Sequence, residues 1–323
     1  MNSSETSVIM AMTVTVATTI DEAIQAHGEY RAGGTDVGAR RNLDISHGPM
    51  VDIRMLQGSQ EIGLAEDGSA VIGAMVTLQE LADRPLVAER YPGLAGLAGR
   101  AANPQIRQMA TLGGSLLQRT RCAYFRHPNF DCFKSGGEGC PARDGIHADG
   151  VVFDLGPCCH PHPSTTAVAL LAYEASYVTH GHEARPLAEL YGDGSDPAAD
   201  HTLAAGELLT QVIVPPPVAG ARAAYFRSTS RALAEWPIVE AMARLGITDG
   251  RIDFARVAVG GVANIPLRLT TVEAALLGRA PGEATLREAA KLAAEGTNAL
   301  PQTGYKIEFL VGTVLEALER AVG

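Results

Sequence analysis

The stretch PQIRQMATLGGSLLQ, residues 104–118, sets a glycine pair between an apolar approach and polar residues able to donate hydrogen bonds. Paired glycines let a backbone come close to an anion and turn successive N–H groups towards it, because no Cβ stands in the way. Thr111 and Ser115 flank Gly113 and Gly114 with hydroxyls. A second stretch of the same kind, Ala32-Gly33-Gly34-Thr35-Asp36, lies upstream, with Thr35 as its hydroxyl donor. Neither is G-x-G-x-x-G or G-x-x-x-x-G-K-[ST], so the Rossmann turn and the P-loop fail at the level of pattern. One glycine pair usually does no more than solve a local backbone geometry. Two in one domain can hold a pyrophosphate between them.

Working outward, TIDEAIQAHG (19–28) predicts a short helix closed by Gly28, and YRAGGTDV (30–37) a strand, the first glycine turn and a helix start. VDIRML (51–56) and SAVIGAMVTL (69–78) alternate as strands do. Residues 77–102 carry helical periodicity interrupted by Pro85 and Pro92. Ser164 is a candidate N-cap for a helix that leads into a strand by residue 181, and GELLTQVIVPPP (206–217) is a strand ended by prolines. Pro215–Pro217 make the best boundary in the chain. Beyond it, RIDFARVAVGGVANIPLRL (251–269) predicts two strands, and 270–278, 282–296 and 304–322 predict amphipathic helices. The expected division is residues 1–217 and a compact α+β unit over 218–323.

A net charge of −10 argues against nucleic acid as a partner. No apolar run approaches the ~18 residues of a membrane span. VIMAMTVTVATT (8–19) lacks the basic flank of a signal peptide and is followed by acidic residues, so it reads as a strand running into a helix N-cap. The five cysteines, Cys122, Cys132, Cys140, Cys158 and Cys159, cluster in one segment of a large chain, which favours a metal or iron–sulfur site over a disulfide framework. The spacing Cys122-x9-Cys132-x7-Cys140-x17-Cys158 supplies four thiolates, enough for one [4Fe–4S] cluster or one structural zinc ion, and does not decide between them. Arg119, Arg121, Arg126, Lys134 and Arg143 lie around these cysteines, where they could offset the negative charge of a thiolate-bound cluster or simply form a solvated loop. Tyr124, Phe125, Phe130 and Phe133 would shield it from water.

AGGTDV (32–37), VDIRML, IGAMVTLQEL (72–81) and PQIRQMATLGGSLLQ, in that order, resemble the flavin-binding subunit of the molybdenum hydroxylases: xanthine dehydrogenases, carbon monoxide dehydrogenases and aldehyde oxidoreductases. The tail resembles that family's C-terminal domain through SRALAEWPIVEAMARL (230–245), ARVAVGGVANIPLRL (255–269) and GYKIEFLVGTVLEAL (304–318). The resemblance implies an α+β chain: a two-subdomain FAD-binding domain of the vanillyl-alcohol-oxidase (PCMH) type over 1–217, then a smaller α+β domain like the C-terminal domain of the carbon monoxide dehydrogenase flavoprotein. It implies that Ala32, Gly33, Gly34, Thr35 and Asp36, with Thr111, Gly113, Gly114, Ser115 and Leu117, hold FAD, its pyrophosphate lying between the two turns. It implies that Leu208 or Leu209 forms a wall beside the flavin ring and that Arg227 supplies a cation near its N1–C2 edge. Ser115 stands where the family usually has Asn, and Thr165 where it usually has Asp.

An insertion at about 119–160 resembles a narrower branch, the medium subunits of periplasmic-type aldehyde oxidoreductases, through QRTRCAYF (118–125), DCFK (131–134), GEGC (137–140) and CCHPHPS (158–164). That branch carries a [4Fe–4S] cluster beside FAD, so the resemblance implies Cys122, Cys132, Cys140 and Cys158 as ligands. Cys159 is then a buried free thiol, and His160 and His162 are loop residues. No residue of this chain is expected to perform substrate chemistry. The implied role is electron transfer from a [2Fe–2S] small subunit and a molybdopterin-containing large subunit, through FAD, to an external acceptor. The compartment would be cytoplasmic, or periplasmic by co-export with a signal-bearing partner. Other flavin/[4Fe–4S] subunits, xanthine dehydrogenase-like or 4-hydroxybenzoyl-CoA reductase-like, a zinc-stapled interaction module and a self-contained flavin oxidase are the alternatives.

Overall fold

A computed structural model describes residues 13–230 and 235–323. The strand expectation for residues 8–12 and part of the 230–245 stretch lie outside them. The chain opens with strand β1 (Val14–Val16), helix α1 (Ile20–Gln25), β2 (Glu29–Arg31), helix α2 (Val37–Asn42) and β3 (Met50–Asp52). The strands form a parallel sheet in the order β1-β3-β2. Thr19 caps α1 in a capping box with Glu22. The helix ends before Gly28, and His27, not Gly28, takes the left-handed conformation (φ 44°). Gly28 is needed for space instead, since a Cβ there would lie 2.9 Å from the Pro49 carbonyl oxygen.

A second sheet, in the order β4-β5-β8-β6-β7, is antiparallel: β4 (Ile62–Leu64), β5 (Ala70–Gly73), β6 (Ser176–Thr179), β7 (Arg185–Pro186) and β8 (Leu209–Val214). The helices between β5 and β6 are α3 (Leu78–Asp83), α4 (Pro85–Arg90), α5 (Pro92–Ala98), α6 (Pro104–Met109), α7 (Leu112–Leu116), α8 (Pro141–Asp144) and α9 (Thr165–Ala172). Pro85, Pro92 and Pro104 each occupy the first turn of a helix, where a missing N–H costs nothing, so the helical run is divided rather than kinked. Every residue of α9 is buried, because the C-terminal sheet packs against it along with helices α5 and α7.

After Pro215–Pro217 the chain enters a four-stranded antiparallel sheet, β12-β11-β10-β9, made of β9 (Arg222–Ser228), β10 (Val239–Thr248), β11 (Arg251–Gly260) and β12 (Leu267–Arg268). Helices α10 (Thr270–Leu276), α11 (Glu283–Lys291) and α12 (Lys306–Val322) cover its outer face. The centre of the sheet is β10. Val239, Ala241, Ala243 and Leu245 enter the outer core, while Met242 on the opposite face joins the core around α9. Arg244, on that same inner face, donates to the Ala172 carbonyl (2.9 Å) and lies over the Tyr173 ring (4.2 Å), fastening the sheet to the end of α9. Among the described residues no helix is long and apolar enough to cross a membrane.

Candidate cofactor site

The first glycine turn follows β2 directly. Gly34 has φ +74°, a conformation that a Cβ disfavours. No hydrogen bond within the described residues is donated by the amides of Gly33, Gly34, Thr35 or Asp36. Four successive open N–H groups are the donor set that an anion needs. A Cβ on Gly33 would fall 1.7 Å from the Met109 carbonyl oxygen, so the two glycine stretches touch backbone to backbone.

The second stretch differs from the expected nest. Gly113 and Gly114 belong to α7, whose N-cap Thr111 accepts the Gly114 N–H on its hydroxyl (3.1 Å). The Leu112 and Gly113 amides donate to the Val76 and Ala74 carbonyls, and Ser115 N–H to the Thr111 carbonyl. These donors are committed to the fold. The glycines serve close approach: a Cβ on Gly113 would meet Ala74 Cβ at 3.0 Å and Leu209 Cδ2 at 3.3 Å. The Ser115 hydroxyl accepts from Thr166 (2.8 Å) and is buried.

Two cavities meet at these turns. The larger, about 500 Å³, is lined by Ala32–Asp36, Thr111, Gly113, Gly114, Leu117, Leu208 and Leu209. The smaller, about 220 Å³, lies towards the C-terminal sheet and has Leu78, Ala101 and Ile106 on one side and Ser115, Thr165 and Arg227 on the other. Thr35, Asp36, Gly114 and Gln118 border both. The structure therefore gathers the sequence candidates along one continuous wall, but it puts Leu209 at one end and Arg227 at the other. Gln118, at the junction, carried no signal in the sequence beyond its place after the turn.

Asp36 faces the insertion. Its carboxylate pairs with Arg126 (2.7 Å), Arg40 (3.0 Å) and Arg121 (3.2 Å) and accepts the Arg119 N–H (3.2 Å). Burial alone would raise its carboxyl, but the Arg121, Arg126 and Arg40 guanidiniums outweigh burial and hold it below the ordinary value. Asp200, buried and absent from the sequence candidates, does the same for Arg119 (2.5 Å) and Lys134 (2.9 Å). Arg143 pairs with Asp154 (2.5 Å). The five basic residues are thus neither a solvated loop nor free countercharge: Arg119, Arg121, Arg126 and Lys134 fasten the insertion to Asp36 and Asp200, and Arg143 braces it internally on Asp154. Lys134 still acts on Cys158: burial pushes that thiol up to about 11, and the lysine works against the rise.

Cys122, Cys132, Cys140 and Cys158 line one small cavity of about 20 Å³, together with Tyr124, Phe125 and Phe133. Phe130 lies outside it, 41% exposed and edge-on to Tyr124 (4.9 Å). Cys159 does not line this cavity, but it is not isolated either: its Sγ is 3.7 Å from Cys140 Sγ. Among the described residues no three Cys, His, Asp or Glu side chains converge on a single-ion position. His162 is buried edge-on to Tyr191 (4.6 Å), and burial lowers it to about 4, so it is held neutral.

Residues 4–217 match the family described as the FAD binding domain in molybdopterin dehydrogenase, and residues 224–322 the CO dehydrogenase flavoprotein C-terminal domain. The aldehyde oxidoreductase FAD-binding subunit PaoB of Escherichia coli K12 is 34% identical over 258 residues, 77% of this chain and 79% of that protein. The carbon monoxide dehydrogenase medium chain of Afipia carboxidovorans is 25% identical over 277 residues, 84% of this chain and 81% of that one. In fold, the chain is similar to a chain of carbon monoxide dehydrogenase from Hydrogenophaga pseudoflava (TM-score 0.75, 23% identity, 96% of this chain and 97% of that one). It is equally similar to quinoline 2-oxidoreductase from Pseudomonas putida 86 (TM-score 0.75, 20% identity, 96% of each chain).

Proposed function

Because this chain belongs to the FAD-binding subunits of the molybdopterin dehydrogenases, we propose that it is the flavin- and [4Fe–4S]-carrying electron-transfer subunit of a molybdenum-dependent aldehyde oxidoreductase. The observation that carries the flavin part is the row of open amides at Gly33–Asp36 on the wall of a cavity of about 500 Å³. A pyrophosphate at that wall leaves one half of the dinucleotide in each cavity. The smaller cavity offers the aliphatic wall of Leu78 and Ile106 and the cation Arg227, which suits the flavin ring. Leu209 then borders the adenosine half. Bound there, FAD supplies chemistry that accepts electrons singly or in pairs.

The cluster part rests on Cys122, Cys132, Cys140 and Cys158 lining one small cavity. Four thiolates are the ligand set of one [4Fe–4S] cluster and would equally hold one zinc ion, so iron content decides between them. The space between them, about 20 Å³, has room for about one water, so the ligands would have to move apart to take a four-iron core. The aldehyde reading rests on the 34% identity to PaoB, an aldehyde oxidoreductase subunit by name. In this reading the partners are a [2Fe–2S] small subunit and a molybdopterin-containing large subunit. Electrons leave to an external acceptor, and the complex works in the cytoplasm or, by co-export, in the periplasm. An absorption spectrum with iron and FAD per chain tests the proposal: flavin bands over a broad iron–sulfur shoulder are expected. Flavin without iron would remove the cluster, and a colourless zinc protein would leave the interaction module as the better reading.

A further inference from the structure

Glu240, on β10, is buried between the smaller cavity and a third one. Its Oε1 accepts from the Thr165 hydroxyl (3.2 Å), and Thr165 lines the smaller cavity. Its Oε2 accepts from Tyr225 (2.7 Å), itself buried and hydrogen-bonded to Arg227. Arg227 sits directly across from Glu240 in the β9–β10 register and lines the smaller cavity. On its other side Glu240 lines an outer cavity of about 620 Å³, whose wall includes the half-exposed Trp236 and Tyr305 and so reaches solvent. The space is fitted to the carboxyl, because a Cβ on Gly260 of β11 would lie 2.6 Å from Oε1. Carboxylates this deeply buried are kept when a partner or a function offsets their desolvation.

We propose that Glu240 is a redox-linked proton acceptor for the flavin-side cavity, an inference that rests on the flavin site proposed above. Two electrons, delivered by the partner's iron–sulfur donor, and one proton convert the oxidised ring to its anionic reduced form. The Glu240 carboxylate takes one further proton from water in the outer cavity and returns it on reoxidation. The coupling is electrostatic. With the ring oxidised, Arg227 is a countercharge for Glu240. With the ring anionic, the same cation serves two negative groups, and the carboxylate is the one that can be neutralised by a proton. The groups facing Glu240 agree with this. Tyr225 and Arg227 come from β9 and Thr165 from α9; β11 contributes only Gly260. Arg121, Asp149, His160, His162, Glu235, Tyr305 and Lys306 share its outer cavity. Burial raises the Glu240 carboxyl to about 7, the Tyr225 and Thr165 hydroxyls and Arg227 opposing the rise, so it titrates where the proton is useful.

The test uses the flavin-loaded chain, with FAD content read first by absorbance. A chain without FAD sinks the flavin site itself. With FAD in place, electrochemical reduction through the flavin couple at about pH 8, in weakly buffered solution with a pH indicator, should consume about one proton more per electron pair in wild type than in E240Q. Equal uptake overturns the inference and leaves FAD binding untouched. Y225F weakens the ionised form of Glu240 and should also reduce the uptake. The wild-type chain decides without any variant: its redox-difference infrared spectrum should gain a protonated-carboxyl band on reduction that shifts in deuterium oxide. A spectrum with no such band overturns the inference.

Discussion

Replacing Asp36 by Asn keeps the shape of the side chain and removes the charge that ties the first glycine turn to the insertion. The ion pairs to Arg126, Arg40 and Arg121 are held by side chains no more than 24% exposed. Breaking a buried pair costs about 3–5 kcal/mol, because the remaining charge is left uncompensated. All three arginines keep other partners: Arg40 retains Glu29, Arg126 the Thr120 and Arg119 carbonyls, and Arg121 the Gln118 side chain. The lower end, about 3 kcal/mol, is therefore expected. For a domain of ~200 residues that is a fall in Tm of roughly 6–12 °C. Because the folded carboxyl titrates below its unfolded value, its stabilisation is complete above the unfolded value and is lost as pH falls through the folded one. D36N should consequently lower Tm at neutral pH and flatten the acid limb of the stability curve. Calorimetry between about pH 3 and pH 8 measures both effects. A neutral-pH Tm within ~2 °C of wild type, with an unchanged acid limb, would show that Asp36 does not fasten the insertion.

Gly33→Ala should prevent folding or abolish FAD binding, since its Cβ would overlap Met109, whereas Gly38→Ala, with nothing within 4 Å, should leave both intact; FAD content and circular dichroism read the contrast. Gly34→Val should fold yet lose FAD, because φ +74° is unfavourable for a β-branched residue and the open amides depend on that turn; stoichiometric FAD in the purified variant would contradict it. Cys132→Ser should lose iron after anaerobic purification while Cys159→Ser keeps it. The reverse pattern at Cys158 and Cys159, with Cys159→Ser losing iron and Cys158→Ser keeping it, would transfer the fourth ligand to Cys159.

The glycine turns stood out because an open or closely approached backbone needs residues without Cβ, and those are visible in the letters. That one turn is an open nest and the other a capped helix start was not legible, since it depends on the Ala74 and Val76 carbonyls that claim the second turn's amides. That Cys122, Cys132, Cys140 and Cys158 come together was foreseeable from their clustering in one segment, and the structure sets all four on one cavity. Strand β10 was missed. Its Glu, Ala, Met, Arg and Leu are good helix formers, and burial on both faces hides the alternation that marks a strand. Asp200 and Glu240 gave no sign either, because each acts through partners brought from distant parts of the chain.

Besides its internal bonds, the insertion is tied to places far away in the chain. Arg126 reaches Asp36 across 90 residues, Arg119 reaches Asp200 across 81, and Lys306 reaches the Gly150 carbonyl across 156. Closures of that length form only after both anchoring domains exist, since chain entropy must be spent before such contacts return anything. In kinetic terms the cysteine segment is expected to be enclosed late, its thiols accessible while the two domains are already built. Pulsed alkylation during refolding should therefore label Cys122, Cys132, Cys140 and Cys158 after the far-ultraviolet signal of the sheets has recovered. Protection that appears together with that signal would place the closure earlier.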